Sequence, residues 1–199
     1  MEKPAVTQYP VSSFIARRWS PRAFDGKRPL DKKTVGTLFE ACRWAPSFGN
    51  LQPWRFVVGL NFDDTHKAIF ETLTDANKRW CKNAPMLFIS VTRLTKPSDN
   101  TPYSHPQHDL GLGLENLFLQ AVDLGLCCHL MAGFSVDKAR EAFGIPEGFQ
   151  PMTAGAVGYP GRLEDMPEDL QKREMNPRER NPLNAFVFSR RWEQPLNLG

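Results

Sequence analysis

The sequence predicts an α+β fold with a mixed central β-sheet flanked by helices. Three observations carry that prediction. Strand and helix patterns follow one another without the regular alternation of a doubly wound sheet. Met86 to Thr92, MLFISVT, is a continuous apolar run of strand length, as expected of a central strand. Gln107 to Leu124 is helical with apolar residues on two sides: Leu110, Leu114, Leu117, Phe118 and Ala121 make one face, and Leu112, Leu119 and Val122 another. A helix apolar on most sides is buried on most sides. In a chain of 199 residues, that places it at the centre of a subunit interface.

The other elements follow from local signals. Val11 to Arg17 reads as a short helix with Val11, Phe14 and Ile15 on one side. Asp31 is the N-cap of a helix running to Trp44, because Val35, Leu38, Phe39 and Cys42 recur at helical spacing. Arg55 to Leu60 is a strand, and Asp64 to about Asn77 is helical. Gly125 ends the long apolar helix. Cys127 to Met131 is a short strand, and Ser135 caps a helix that stops at Gly144 before Pro146. Met152 to Gly158 is a strand of small residues, Glu168 to Arg173 a short helix, and Leu183 to Phe188 a last strand or extended arm. There is no internal repeat. The expectation is one domain over residues 1–199, with residues 160–199 as an extended C-terminal arm.

Composition narrows the function. With 24% charged and 41% hydrophobic residues, the chain is globular and not disordered. A net charge of +3 is too small a bias to argue for nucleic acid. No apolar run is long enough to span a bilayer, and MEKPAVTQYP lacks the apolar stretch of a secretion signal. None of the four cysteines forms a CxxC pair, and Cys127 and Cys128 are adjacent. Reduced, buried thiols and a cytoplasmic location are expected, with neither nucleic acid nor membrane as a partner.

Five segments could carry chemistry. Arg17-Arg18-Trp19-Ser20-Pro21-Arg22 crowds guanidinium groups and a hydroxyl at the end of the first helix, a donor set suited to phosphate oxygens or simply to a solvated helix end. In Ala45 to Phe56, APSFGNLQPWRF, two large aromatics, Phe48 and Trp54, and two amides fall within ten residues of turn formers, as if to press flat side chains against something planar with polar edges. Asn77-Lys78-Arg79-Trp80 precedes the central strand. Met131-Ala132-Gly133-Phe134 follows a strand, and Gly133 permits close backbone approach. Arg178-Glu179-Arg180 forms a second basic cluster.

These motifs, in this order and spacing from about Val11 to Phe188, resemble the FMN-dependent nitroreductase family. RWSPRAF, APSFGNLQPWRF, the Asn77–Pro85 stretch, MAGF, GYPG and the Arg178–Leu183 stretch carry the resemblance. It implies an intertwined homodimer that binds FMN at its interface and takes electrons from NADH or NADPH. By position, Arg18 and Ser20, with Trp19 between them, would hold the phosphate and ribityl side, and Arg180 and Arg178 would return to the phosphate. Arg22 would approach the pyrimidine edge and tune the flavin. Pro46, Ser47 and Phe48 would lie along the ring from the partner subunit, with Asn50 supporting that loop. Asn77 and the backbone at Met131, Ala132 and Gly133 would face the polar edge. No side chain would act as catalytic acid or base, and no metal is implied.

The chain departs from the family pattern where some members carry glutamate at Ala132 or a lysine near Trp80, which leaves Arg22 as the main cation near the ring. The implied activity is hydride transfer through FMN to a nitroaromatic, quinone or similar small acceptor by a ping-pong scheme. The alternatives are an enzyme of the same fold with other chemistry (enone reduction, dehalogenation or flavin destruction) and a flavin-binding redox module without efficient turnover. Lys96 to Pro106 is the best candidate for a lid.

Three further signals read as structural. Gly111 and Gly113 begin a dinucleotide fingerprint, but Asn116 stands where its third glycine belongs and the run lies inside a helix, so the glycines are read as packing positions. His105, and His108 with Asp109, stand at a proline-rich helix start without a third ligand, so surface or capping roles are expected. Cys127 and Cys128 are read as packing residues.

Overall fold

The structure is a computed structural model that describes residues 2–198. Its centre is a four-stranded sheet of β1 (Trp54–Leu60), β2 (Met86–Arg93), β3 (Cys127–Met131) and β4 (Phe149–Gly158), in the order β1-β2-β4-β3. All three pairings are antiparallel, which corrects the expected mixed sheet. β2 and β3 do run in the same direction, but β4 lies between them. The long crossover from β2 to β3 therefore joins two strands that never share a ladder.

β2 is buried along nearly its whole length, and its period of two sorts the core into two layers. Met86 and Phe88 face one layer with Leu38 and Cys42 of α2 (Lys32–Arg43) and Leu110, Leu114 and Leu117 of α5 (Pro106–Asp123). Leu87, Ile89 and Val91 face the other, with Ile69 of α3 (Asp64–Thr72) and Trp80 of α4 (Asp75–Cys81). That second layer also takes in Leu170 of α7 (Glu168–Met175) and packs against Phe143 of α6 (Val136–Phe143). A sheet with helices on both faces accounts for a central strand with no polar side.

Local chemistry explains the helix ends. The Asp31 carboxylate accepts from the Thr34 N–H at 2.7 Å, and the Ser135 hydroxyl accepts from the Lys138 N–H at 3.2 Å. Gly125 and Gly144, both at positive φ, follow the helices they close. The expected Asp64–Asn77 helix is two helices, because Leu73 turns extended and bridges to Phe134, and the Thr74 N–H donates to the Gly133 carbonyl at 3.0 Å. Pairing with the exit of β3 overrides helical continuity there. The segment expected as a last strand begins instead as a single 3-10 turn at Leu183–Ala185; only Phe188 makes a bridge, to Pro195.

Gly113 performs the packing role expected of it. A Cβ there would stand 2.9 Å from the Cys42 sulfur, so α2 and α5 approach closely at that point. Gly111 has open space around it and plays no such part. The four cysteines are buried and free, and burial pushes the Cys42 and Cys127 thiols up to about 12, consistent with packing roles. No helix among the described residues is long and apolar enough to cross a membrane.

The two ends of the chain have little core of their own. α1 (Ser13–Arg17) has no buried residue. Val6, Tyr9, Val11, Phe14 and Ile15 are exposed near the start, as are Phe186, Trp192, Leu196 and Leu198 near the end.

At the middle of the sheet, Gly155 pairs with Phe88, whose ring lies where a Cβ of residue 155 would stand, at 2.1 Å. Gly155→Ala must displace a fully buried ring in a close-packed core. It is expected to lower unfolding stability by about 2 kcal/mol or more, measured by urea denaturation.

Candidate functional site

α1 is short, and its last carbonyls are left for other partners. Arg178 meets them: its guanidinium donates to the carbonyls of Ala16 at 2.8 Å and Arg18 at 2.8 Å, and also to that of Lys3, ahead of the helix, at 2.5 Å. The C-terminal segment is thereby fastened to the helix end that carries Arg18. Burial, then the neighbouring charges of Arg18 and Arg180, push the Arg178 pKa down. Arg178 therefore lies within the electrostatic reach of both Arg18 and Arg180. The counter-charge is slight: Glu115 of α5 stands 3.7 Å from Arg18, with half its side chain exposed. Arg180 is exposed and donates only to the Glu179 carbonyl, and the Ser20 hydroxyl has no hydrogen-bond partner among the described residues. Trp19 lines a crevice of about 210 Å³ beside Arg18, with the Lys3 ammonium 4.9 Å from its ring centroid.

From this cluster a continuous wall runs along the sheet edge. The Arg22 N–H donates to the carboxylate of Glu174 at 2.6 Å, and its guanidinium lies 3.5 Å from the other carboxylate oxygen. Glu174, on α7, is 1% exposed. Next comes His129 of β3, whose Nδ1 is 2.9 Å from the Pro21 carbonyl and whose ring lies 4.4 Å from that of Trp80. The Trp80 indole N–H donates to Asn77 Oδ1 at 3.3 Å, and Asn77 Nδ2 donates to the Gly133 carbonyl at 2.9 Å. Gly133 has no room for a side chain: a Cβ would be 2.8 Å from both Asn77 Nδ2 and Thr74 Oγ1. Ala132 is exposed, whereas the Met131 side chain belongs to the core.

The Ala45–Trp54 loop is held from a different side. Gly49, Asn50 and Gln52 all have positive φ, a region sterically unfavourable for the latter two. The loop ties itself locally: the Ser47 hydroxyl accepts from the Gln52 N–H at 3.0 Å, and the Gln52 amide donates to Asn50 Oδ1 at 3.1 Å. Phe48 is 60% exposed and stacks on His105 and Tyr103, with centroids 5.3 and 6.4 Å apart.

Beneath the stack, Asp109 of α5 is 1% exposed and accepts from the Phe48 N–H at 2.9 Å, from the Tyr103 hydroxyl and from the His108 ring at 3.0 Å. Burial raises its pKa, yet those hydrogen bonds prevail and hold it below the usual carboxylate range. Of the expected surface or capping roles, the surface one does not hold for Asp109, which is buried, while His105 and His108 are exposed.

Of the expected site residues, Arg178 meets the Arg18 carbonyl and feels the Arg180 charge, and Asn77 meets Gly133, while Arg22 is bonded to Glu174. Among the described residues, no hydrogen bond or ion pair joins Pro46, Ser47, Phe48 or Asn50 to any of these. Glu174, His129 and Asp109 were not among the expected site residues. His129 stands in an apolar strand, while Glu174 and Asp109 follow other polar residues on their helices, so only the tertiary fold reveals what each meets.

Comparison with known proteins places the chain. Its sequence matches the family model described as "Nitroreductase family" over residues 15–79 and 60–159. A crystal structure known as "the oxidoreductase containing FMN" superposes with a TM-score of 0.89 at 35% identity, covering 94% of this chain and 95% of that one. An uncharacterized 15.4 kDa protein of Mycolicibacterium smegmatis, from the ask 5' region, is 39% identical over 88 residues; the match spans 44% of this chain and 59% of that protein's length. A protein of Archaeoglobus fulgidus, provisionally named an NADH dehydrogenase/NAD(P)H nitroreductase, is 26% identical over 78% of this chain and 88% of its own.

The His129 ring has a measurable signature. Burial, opposed by the Pro21 carbonyl and assisted by Arg22, pushes its pKa from 6.5 down to about 4. Between those values the unfolded chain binds the extra proton, so stability is complete above about pH 6.5 and falls as the pH drops toward 4. His129→Gln is expected to flatten that acid limb by about 2 kcal/mol, read from unfolding curves at pH 7 and pH 4.5.

Proposed function

The chain belongs to the nitroreductase family, and from that premise we propose that it is an FMN-dependent oxidoreductase. It takes a hydride from NADH or NADPH and passes electrons to a nitroaromatic, a quinone or a similar small acceptor. The observation that carries this reading is the cation cluster at the end of α1. Arg18 and Arg180 have guanidinium capacity to spare, Arg178 adds charge, Ser20 adds a hydroxyl, and among the described residues the only carboxylate paired with them is the half-exposed Glu115. That donor set fits a phosphate monoester.

When bound, FMN supplies the hydride-accepting and hydride-donating chemistry. The chain's residues bind and orient it. Arg18, Ser20 and Arg180 hold the phosphate. Arg178 supports them by fixing the end of α1 through the Ala16 and Arg18 carbonyls and the preceding segment through that of Lys3. Arg22 presents its cation toward the pyrimidine edge, and Glu174 both places it and tempers its pull on negative charge. Asn77 fixes the Gly133 backbone, and the lack of a Cβ there lets Asn77 and Thr74 pack directly against it.

Pro46, Ser47 and Phe48 serve the ring of a second copy. The exposed apolar residues of α1 and of both terminal segments offer the surface on which a homodimer would close. No acid or base is required of a side chain, and His129, neutral at pH 7 with its pKa near 4, is a wall residue.

Arg18→Ala and Arg180→Ala are each expected to weaken FMN binding at least about tenfold, measured by quenching of flavin fluorescence. An unchanged affinity would refute their phosphate role. Anaerobic mixing of the FMN-loaded protein with NADH or NADPH should bleach the yellow flavin band within turnover time. A band that persists with both donors would mark a flavin-binding module without this activity.

A further inference from the structure

We propose that Asp109 is a positioning residue whose carboxylate fixes the Phe48 turn to the start of α5, and so sets where the Phe48 face of the site stands. The inference rests on the reading above that Pro46 to Phe48 lie against FMN.

Three features of the structure support it. First, Asp109 is 1% exposed without a lysine or arginine partner, an expensive way to fill a helix face unless its acceptors are used. Its Oδ2 receives both the Phe48 N–H and the Tyr103 hydroxyl, and its Oδ1 faces the His108 ring. The Phe48 bond joins positions 61 residues apart. Second, the Phe48 turn needs an external anchor: non-glycine residues at positive φ follow it, and the Phe48 side chain is 60% exposed, outside the core. Third, one partner of the Phe48 ring is placed by the same carboxylate, since Tyr103 donates to it directly. The other, His105, stands just before α5, and its carbonyl accepts from the Asp109 backbone N–H at 3.1 Å. The carboxylate therefore holds the Phe48 backbone and the Tyr103 side of the stack.

The full-length protein is compared as wild type, Asp109→Ala, Asp109→Asn and Tyr103→Phe. Two measurements are made: amide hydrogen exchange of the peptide containing Phe48 without flavin, and FMN affinity and absorbance spectrum with flavin. A carboxamide can place its oxygen at the Oδ2 position and accept the same two protons, so Asp109→Asn should keep exchange protection and bind FMN within about threefold of wild type. Asp109→Ala should lose protection at Phe48, bind FMN about tenfold more weakly and shift the flavin band. Tyr103→Phe keeps the ring, removes one donor and guards against an Asp109→Ala chain that fails to fold; it should fall between the two.

Wild-type FMN affinity in Asp109→Ala would overturn the proposal while leaving the reading of the site intact. So would an Asp109→Asn chain as impaired as Asp109→Ala, since no hydrogen-bond geometry would then be at stake. A wild-type protein that binds no FMN overturns the functional reading and this inference with it.

Discussion

The close approach of α5 to α2 and the sheet at Gly113 is the constraint on which the rest of the molecule depends. With no Cβ at that point, the helix lies down against Cys42 and Trp54 and can bury Leu110, Leu114 and Leu117 over the Phe88 face of the sheet. Once seated, the same helix acts as a ruler. Its first turn carries Asp109, which holds the Phe48 loop; a later turn carries Glu115, which faces Arg18; and its end feeds β3, where the Leu126 N–H donates to the Ala121 carbonyl at 2.7 Å. A packing fault at Gly113 would move all three together.

The parts of the fold that the sequence discloses are those whose ends carry their own punctuation. β3 runs from Cys127 to Met131 as expected, and the helix after it is bounded by Ser135 and Gly144 because a hydroxyl cap and a left-handed glycine act locally. The break at Leu73 is different. Nothing between Asp64 and Asn77 forbids a continuous helix, and the interruption comes from β-type pairing with Phe134, some sixty positions away. The direction of strand pairing is likewise hidden, since β4 separates β2 from β3 only through long-range topology.

The site is legible to the same degree. Arginines crowded at Arg17 to Arg22 and again at Arg178 and Arg180 stand out in the sequence as two basic clusters, although a solvated helix end gives the first the same pattern. The division of labour within them does not stand out. Arg178 faces three carbonyls and Arg22 faces Glu174, so two of the guanidinium groups are partly committed before any ligand arrives. Buried Glu174 and Asp109 have no signature in the sequence, since an acidic residue on a helix ordinarily points to water. Their identity as anchors follows only from the backbone N–H groups they meet.

The clasp between Arg178 and the end of α1 also orders events in time. Its bond to the Arg18 carbonyl closes a loop of 160 residues, and contacts of that separation form late because the intervening chain must first be made and folded. During synthesis, Arg18 is made long before Arg178, the partner of its carbonyl. A nascent chain stalled before Arg178 would hold every strand of the sheet yet lack the clasp on the Ala16 and Arg18 carbonyls.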